Sequence, residues 1–65
     1  MYYVYFLKTK LNTIYIGCTN NFKKRLEQHK QGKVLYTKSR LPIKLVYCEV
    51  YAIKEDAYRR EASLK

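Results

Sequence analysis

In the run from Ile14 to Lys30, IYIGCTNNFKKRLEQHK, a strand-like stretch ends at Gly17, a short polar turn follows, and a helix starts with Asn20 or Asn21 as its cap. At 3.6 residues per turn, Phe22, Arg25, Leu26 and His29 share one arc of about 100°. An arginine and a histidine therefore lie on the face that Phe22 and Leu26 bury. A second helix repeats the pattern: Ala57, Glu61 and Leu64, spaced i, i+4, i+7, put Glu61 in the apolar stripe. An unpaired charge in either place would shift its pKa or destabilise the chain. The two helices thus point to a polar site between them, over the hairpin that precedes the first. Tyr5 and Tyr15, on adjacent strands of that hairpin, fit the same site, because side chains opposed across strands approach closely.

Arg25 is a planar donor suited to phosphate, Glu61 a hard oxygen ligand suited to Mg²⁺ or Mn²⁺, and His29 exchanges a proton near neutrality. Phosphodiester cleavage uses these groups. Each residue also has a structural reading: Tyr5 and Tyr15 as a cross-strand aromatic pair, Arg25 and His29 reaching out to solvent, Glu61 pairing with Lys65 at i+4.

The elements that must position these groups are legible in outline. YYVYFL, Tyr2 to Leu7, is aromatic and β-branched throughout, which predicts a strand covered on both faces. Lys8 to Thr13 is turn-like and Ile14 to Gly17 is the return strand, giving an antiparallel hairpin. The first helix runs from about Asn21 to Gln31, with Gly32 as its C-terminal cap. Lys33 to Leu41 reads as an exposed basic loop, and Ile43 to Tyr51, imperfectly alternating, as a third strand. Lys54 to Lys65 reads as the second helix, with acidic residues in its first turn, and it either frays at Lys65 or continues in a longer product. The expected fold is α+β: one domain over residues 1–65, a small three-stranded, mainly antiparallel sheet flanked by helices.

Sixty-five residues allow only a thin core. Fourteen Lys and Arg against five Asp and Glu give a net charge of +9, a field attractive to polyanions. Lys23, Lys24, Lys33, Tyr36, Lys38 and Arg40 are the candidate nucleic-acid contacts, with Tyr36 available to stack on a base. No sequence-reading element is recognisable, so recognition should follow structure or ends. No apolar run approaches the roughly 20 residues of a membrane span and no leader pattern precedes the first strand, which together predict a cytoplasmic protein without membrane attachment. Cys18 and Cys48 lack metal-site spacing and read as buried free thiols. Oligomeric state is left open.

YVY (Tyr3 to Tyr5), YIG (Tyr15 to Gly17), RLEQH (Arg25 to His29) and RREASLK (Arg59 to Lys65), in that order and spacing, resemble the GIY-YIG endonuclease superfamily, and its small stand-alone bacterial members in particular. The resemblance implies a nuclease acting on nucleic acid, DNA ahead of RNA, with one divalent ion, Mg²⁺ or Mn²⁺. It assigns Tyr15 as general base, Tyr5 as the residue positioning the nucleophile or a phosphate oxygen, Arg25 as the stabiliser of developing charge, Glu61 as the metal ligand, and His29 to a place filled by His or Tyr. A free phenol has a pKa of about 10, so such a base requires cations nearby. Tyr3 replaces the first Gly of the pattern, Cys18 stands where some members carry lysine, and the late Asn has no counterpart before Lys65. A non-catalytic nucleic-acid-binding module that keeps the fold is the competing reading, and an interaction domain with incidental charge the third.

Overall fold

The computed structural model describes all residues, 1–65. Its elements are β1 (Tyr2–Lys8), β2 (Ile14–Thr19), α1 (Phe22–Lys30), α2 (Leu35–Lys38), β3 (Lys44–Tyr51) and α3 (Lys54–Leu64). The strands form one antiparallel sheet in the order β2-β1-β3, so the fold is the three-stranded α+β arrangement that the sequence predicts. Because β1 is central, it needs no polar face: Val4, Tyr5 and Leu7 are all buried. Between β1 and β2 the chain reverses at Asn12, whose φ of 65° is left-handed, and Thr9 and Thr13 close the turn with their hydroxyls 2.7 Å apart.

Cross-strand partners share a face of a sheet. Tyr5 stands across from Gly17, and Leu7 from Tyr15. The two tyrosines are therefore diagonal neighbours rather than an opposed pair. Their rings meet because Gly17 leaves the space between them empty. A Cβ built on Gly17 would lie 2.5 Å from Tyr5 Cζ and 2.9 Å from Tyr15 Cε1, and would also strike Tyr5 Oη.

The face carrying Tyr3, Tyr5 and Tyr15 is covered by α1. Phe22 packs on Tyr3 and Tyr5 at ring separations of 5.6 and 5.7 Å. The opposite face carries Val4, Cys18 and Glu49, and α3 docks there. Ala57 of α3 is fully buried, and Arg60 clasps Glu49 with Nε at 3.0 Å and Nη2 at 3.1 Å. The hydroxyls of Tyr47 and Tyr51 donate to the same carboxylate at 2.7 and 2.8 Å. Arg60 foremost, with these hydroxyls, holds the Glu49 carboxyl down at about 2. The helices thus sandwich the sheet instead of sharing one side of it, which corrects the expectation of a site enclosed between them over the hairpin.

Local signals explain the helix ends. Asn21 Oδ1 caps α1 by accepting from the Lys24 N–H at 3.1 Å. At the other end Gly32, with φ 75°, donates to the His29 carbonyl while Lys33 donates to that of Gln28, the paired bonds of a Schellman turn. The run from Lys33 to Leu41 is not an exposed loop: it contains α2, and Val34 and Thr37 are buried. Its polarity misleads because Thr37 is a polar residue with a polar partner inside the core. β3 begins at Lys44, and a bulge opposite Phe6 and Leu7 breaks its alternation. As an edge strand it leaves Val46, Tyr47 and Val50 exposed.

Gly17→Ala should force Tyr5 out of its seat and lower the unfolding free energy by about 1–3 kcal/mol, measured by urea denaturation followed by circular dichroism. An unchanged midpoint would show that the Tyr5 ring has room to move.

Candidate active site

The α1-covered face buries a polar cluster. Tyr5, 1% exposed, places its hydroxyl 3.0 Å from Nε2 of His29, which is fully buried. Nδ1 of His29 lies 2.8 Å from the Thr37 hydroxyl, and that hydroxyl donates to the Val34 carbonyl at 3.5 Å. Burial, together with the nearby Arg25 charge, pushes the His29 imidazole down to about 4, so it is neutral at pH 7. Burial likewise pushes the Tyr5 phenol up to about 12, Arg25 opposing that rise while Tyr15 and Glu61 add to it.

Tyr15 is half-buried, its ring 5.0 Å from that of His29 and 6.2 Å from that of Tyr5. Arg25 is half-buried on the exposed side of the same cluster. Burial alone would lower its pKa, but the phenol oxygens of Tyr5 and Tyr15 beside it outweigh that and raise it. Its Nη1 donates to Gln28 Oε1 at 3.2 Å. Four of the expected residues, Tyr5, Tyr15, Arg25 and His29, are therefore in one cluster.

Glu61 comes from the other side of the sheet. Its charge reaches Tyr5 and Cys18, raising both, and its Oε2 pairs with Lys65 Nζ at 3.1 Å. No group of three or more His, Cys, Asp and Glu side chains is placed to hold a metal ion. The cysteines are free and half-buried.

The basic residues divide into two groups. Lys23, Lys24 and Lys33 line an open depression along the outer side of α1 with Glu27 and Gln28. Tyr36, 41% exposed, joins the cluster itself: its ring is 5.3 Å from that of Tyr15, and the Arg40 guanidinium carbon sits 4.2 Å over it. Lys38 is exposed beside it on α2. Thr37, the residue that reaches His29, is absent from the pattern of charged and aromatic candidates. Its one local signal is that Val34 and Thr37, three apart, fall on the same side of a helical turn.

Comparison with known proteins gives this cluster a lineage. The model of the GIY-YIG catalytic domain matches residues 1–65. The chain belongs to the GIY-YIG family. It is 45% identical over 98% of its length to a UPF0213 protein of Staphylococcus haemolyticus, spanning 79% of that protein. To a UPF0213 protein of Clostridium perfringens it is 46% identical over its full length and 71% of the relative's. A solution NMR structure of a UPF0213 protein from Bacillus halodurans superposes with a TM-score of 0.63 at 36% identity, covering 98% of this chain and 70% of that one. Membership of this family implies a nuclease with a nucleic-acid substrate. No helix is long and apolar enough to cross a membrane.

The buried imidazole makes stability depend on pH in a defined window. Its folded pKa, about 4, lies below the ordinary 6.5, so between these values the unfolded chain binds the extra proton. Stability should be complete well above pH 6.5 and fall by about 3 kcal/mol as pH drops to about 4. Urea denaturation across this range should show the loss, and His29→Gln should flatten it. The Glu49 carboxyl, held at about 2, adds stability that is present above about pH 4.5 and is lost as pH falls toward 2.

Proposed function

We propose that the protein is a metal-dependent endonuclease that hydrolyses phosphodiester bonds in DNA, with RNA the alternative substrate, and recognises structure or ends rather than sequence. The observation that carries this reading is the placement of a half-exposed phenol, Tyr15, beside the Arg25 guanidinium at the rim of a buried, fully hydrogen-bonded Tyr5–His29 pair. A rigid interior with its reactive groups at the water-facing edge suits a polyanion too large to enter a pocket.

Tyr15 is the group that a water and a phosphate can reach, and it takes the proton of the attacking water. Arg25, fixed by Gln28, donates to the phosphate oxygens as negative charge builds. Tyr5 is too deeply buried to touch substrate, so it positions Arg25 and Tyr15 instead. Glu61 fits a hard ion that keeps most of its waters: its carboxylate, the side chain 24% exposed, belongs to no cluster of three or more ligating side chains. Such an ion, held by Glu61 and substrate oxygens, would supply Lewis-acid stabilisation of the phosphate and leaving group. Lys65 must release Glu61 when the ion binds. Lys23, Lys24, Lys33, Lys38 and Arg40 hold the flanking backbone, and Tyr36 faces the nucleobases.

The test is cleavage of end-labelled single-stranded, duplex and branched DNA and RNA with Mg²⁺ or Mn²⁺. Tyr15→Phe and Glu61→Gln should each slow cleavage about 100-fold or more while leaving Tm nearly unchanged. Salt-dependent binding with no cleavage of any substrate would establish the binding module instead, a reading favoured by the Lys65 ammonium already at Glu61.

A further inference from the structure

The chain has one histidine, and each of its ring nitrogens faces one hydroxyl, Thr37 on one side and Tyr5 on the other. A carbonyl can only accept, so the bond from Thr37 to the Val34 carbonyl commits the one hydroxyl proton of Thr37. Thr37 Oγ1 then has only lone pairs to offer to Nδ1 of His29, 2.8 Å away, and Nδ1 must carry the imidazole proton. Nε2 is left bare, and it accepts the Tyr5 O–H at 3.0 Å. The opposite arrangement is disfavoured at its far end. With Nε2 protonated, the Tyr5 hydroxyl would have to turn its own proton outward, beside Arg25, which carries only donors, and no hydrogen bond joins it to Tyr15, the one acceptor on that side.

We infer that Thr37 is a positioning residue: it holds His29 as the Nδ1–H tautomer, which makes Tyr5 a donor into the core and turns the phenol's lone pairs outward to Arg25 and Tyr15. The hydrogen-bond chain thus runs one way, from Tyr5 through His29 and Thr37 to the Val34 carbonyl. It begins at the cluster described above and ends on α2, the short helix whose next residue on the outer side, Tyr36, stacks on Tyr15. All buried side-chain nitrogen and oxygen atoms have partners, and the Thr37 hydroxyl bonds to His29 and the Val34 carbonyl alone. For its effect on catalysis the inference rests on the nuclease reading; for the tautomer it does not.

The experiment separates the two. Long-range ¹H–¹⁵N correlation spectra of uniformly ¹⁵N-labelled protein at pH 7 report both ring nitrogens of the single histidine without ambiguity. Protonated Nδ1 and bare Nε2 are expected in the wild type and in Thr37→Ser, which keeps the hydroxyl. In Thr37→Val, which keeps the shape, the tautomer should shift or become mixed. Cleavage should fall about 10–100-fold in Thr37→Val and return in Thr37→Ser, with binding of substrate little changed. A wild-type spectrum with protonated Nε2 overturns the inference whether or not the valine variant folds. So does a Thr37→Val protein with wild-type tautomer and wild-type cleavage. If the wild type shows the expected tautomer and cuts nothing, the nuclease reading fails and the assignment of Thr37 to His29 stands.

Discussion

The hydrogen bond between Tyr5 and His29 is the constraint around which this small domain is arranged. In a chain of 65 residues the core is thin, and burying an imidazole and a phenol in it costs more than it returns unless both are satisfied. Each neighbouring feature serves that condition. Gly17 leaves room for the phenol, Thr37 completes the imidazole, α2 brings Thr37 into place, and the Schellman turn at Gly32 sends the chain from α1 back toward it. The result is a polar centre with no unpartnered atom, rigid enough to hold Tyr15 and Arg25 at its rim.

The two faces of the sheet are built differently for this reason. On one, large rings from Tyr3, Tyr5, Tyr15, Phe22 and His29 fill the space beneath α1, each close to the next at ring separations of 5.0 to 6.2 Å. On the other, Val4 and the small Ala57 of α3 are both fully buried, and the four hydrogen bonds on Glu49 fix the helix in place.

Charge is divided in the same way. Between Phe22 and Leu41 the chain carries Lys23, Lys24, Arg25, Lys30, Lys33, Lys38 and Arg40 with only Glu27 to oppose them, whereas Glu49, Glu55, Asp56 and Glu61 all lie on β3 and α3. The positive field therefore belongs to the side that carries the tyrosine cluster. Within a Debye length of about 8 Å at physiological salt, it is this local surplus rather than the net +9 that a phosphate backbone meets.

The sequence by itself determined which residues leave each helix together: Phe22, Arg25, Leu26 and His29 on one, Ala57, Glu61 and Leu64 on the other. Helical geometry is local, and spacing alone fixes it. It also determined the strands, a cap at Asn20 or Asn21 and another at Gly32, and the motif order that marks the family. It did not determine that α1 and α3 take opposite faces of the sheet, that Lys33 to Leu41 turns inward, that Glu49 anchors α3, or that Thr37 completes His29. Those depend on register and on pairings far apart in the chain. Tyr5 opposite Gly17 rather than Tyr15, and a bulge opposite Phe6 and Leu7, follow from how strands fit against one another, which no window of neighbouring residues encodes. A threonine in a polar segment reads as surface until its partner, eight residues away across a turn, is brought to 2.8 Å.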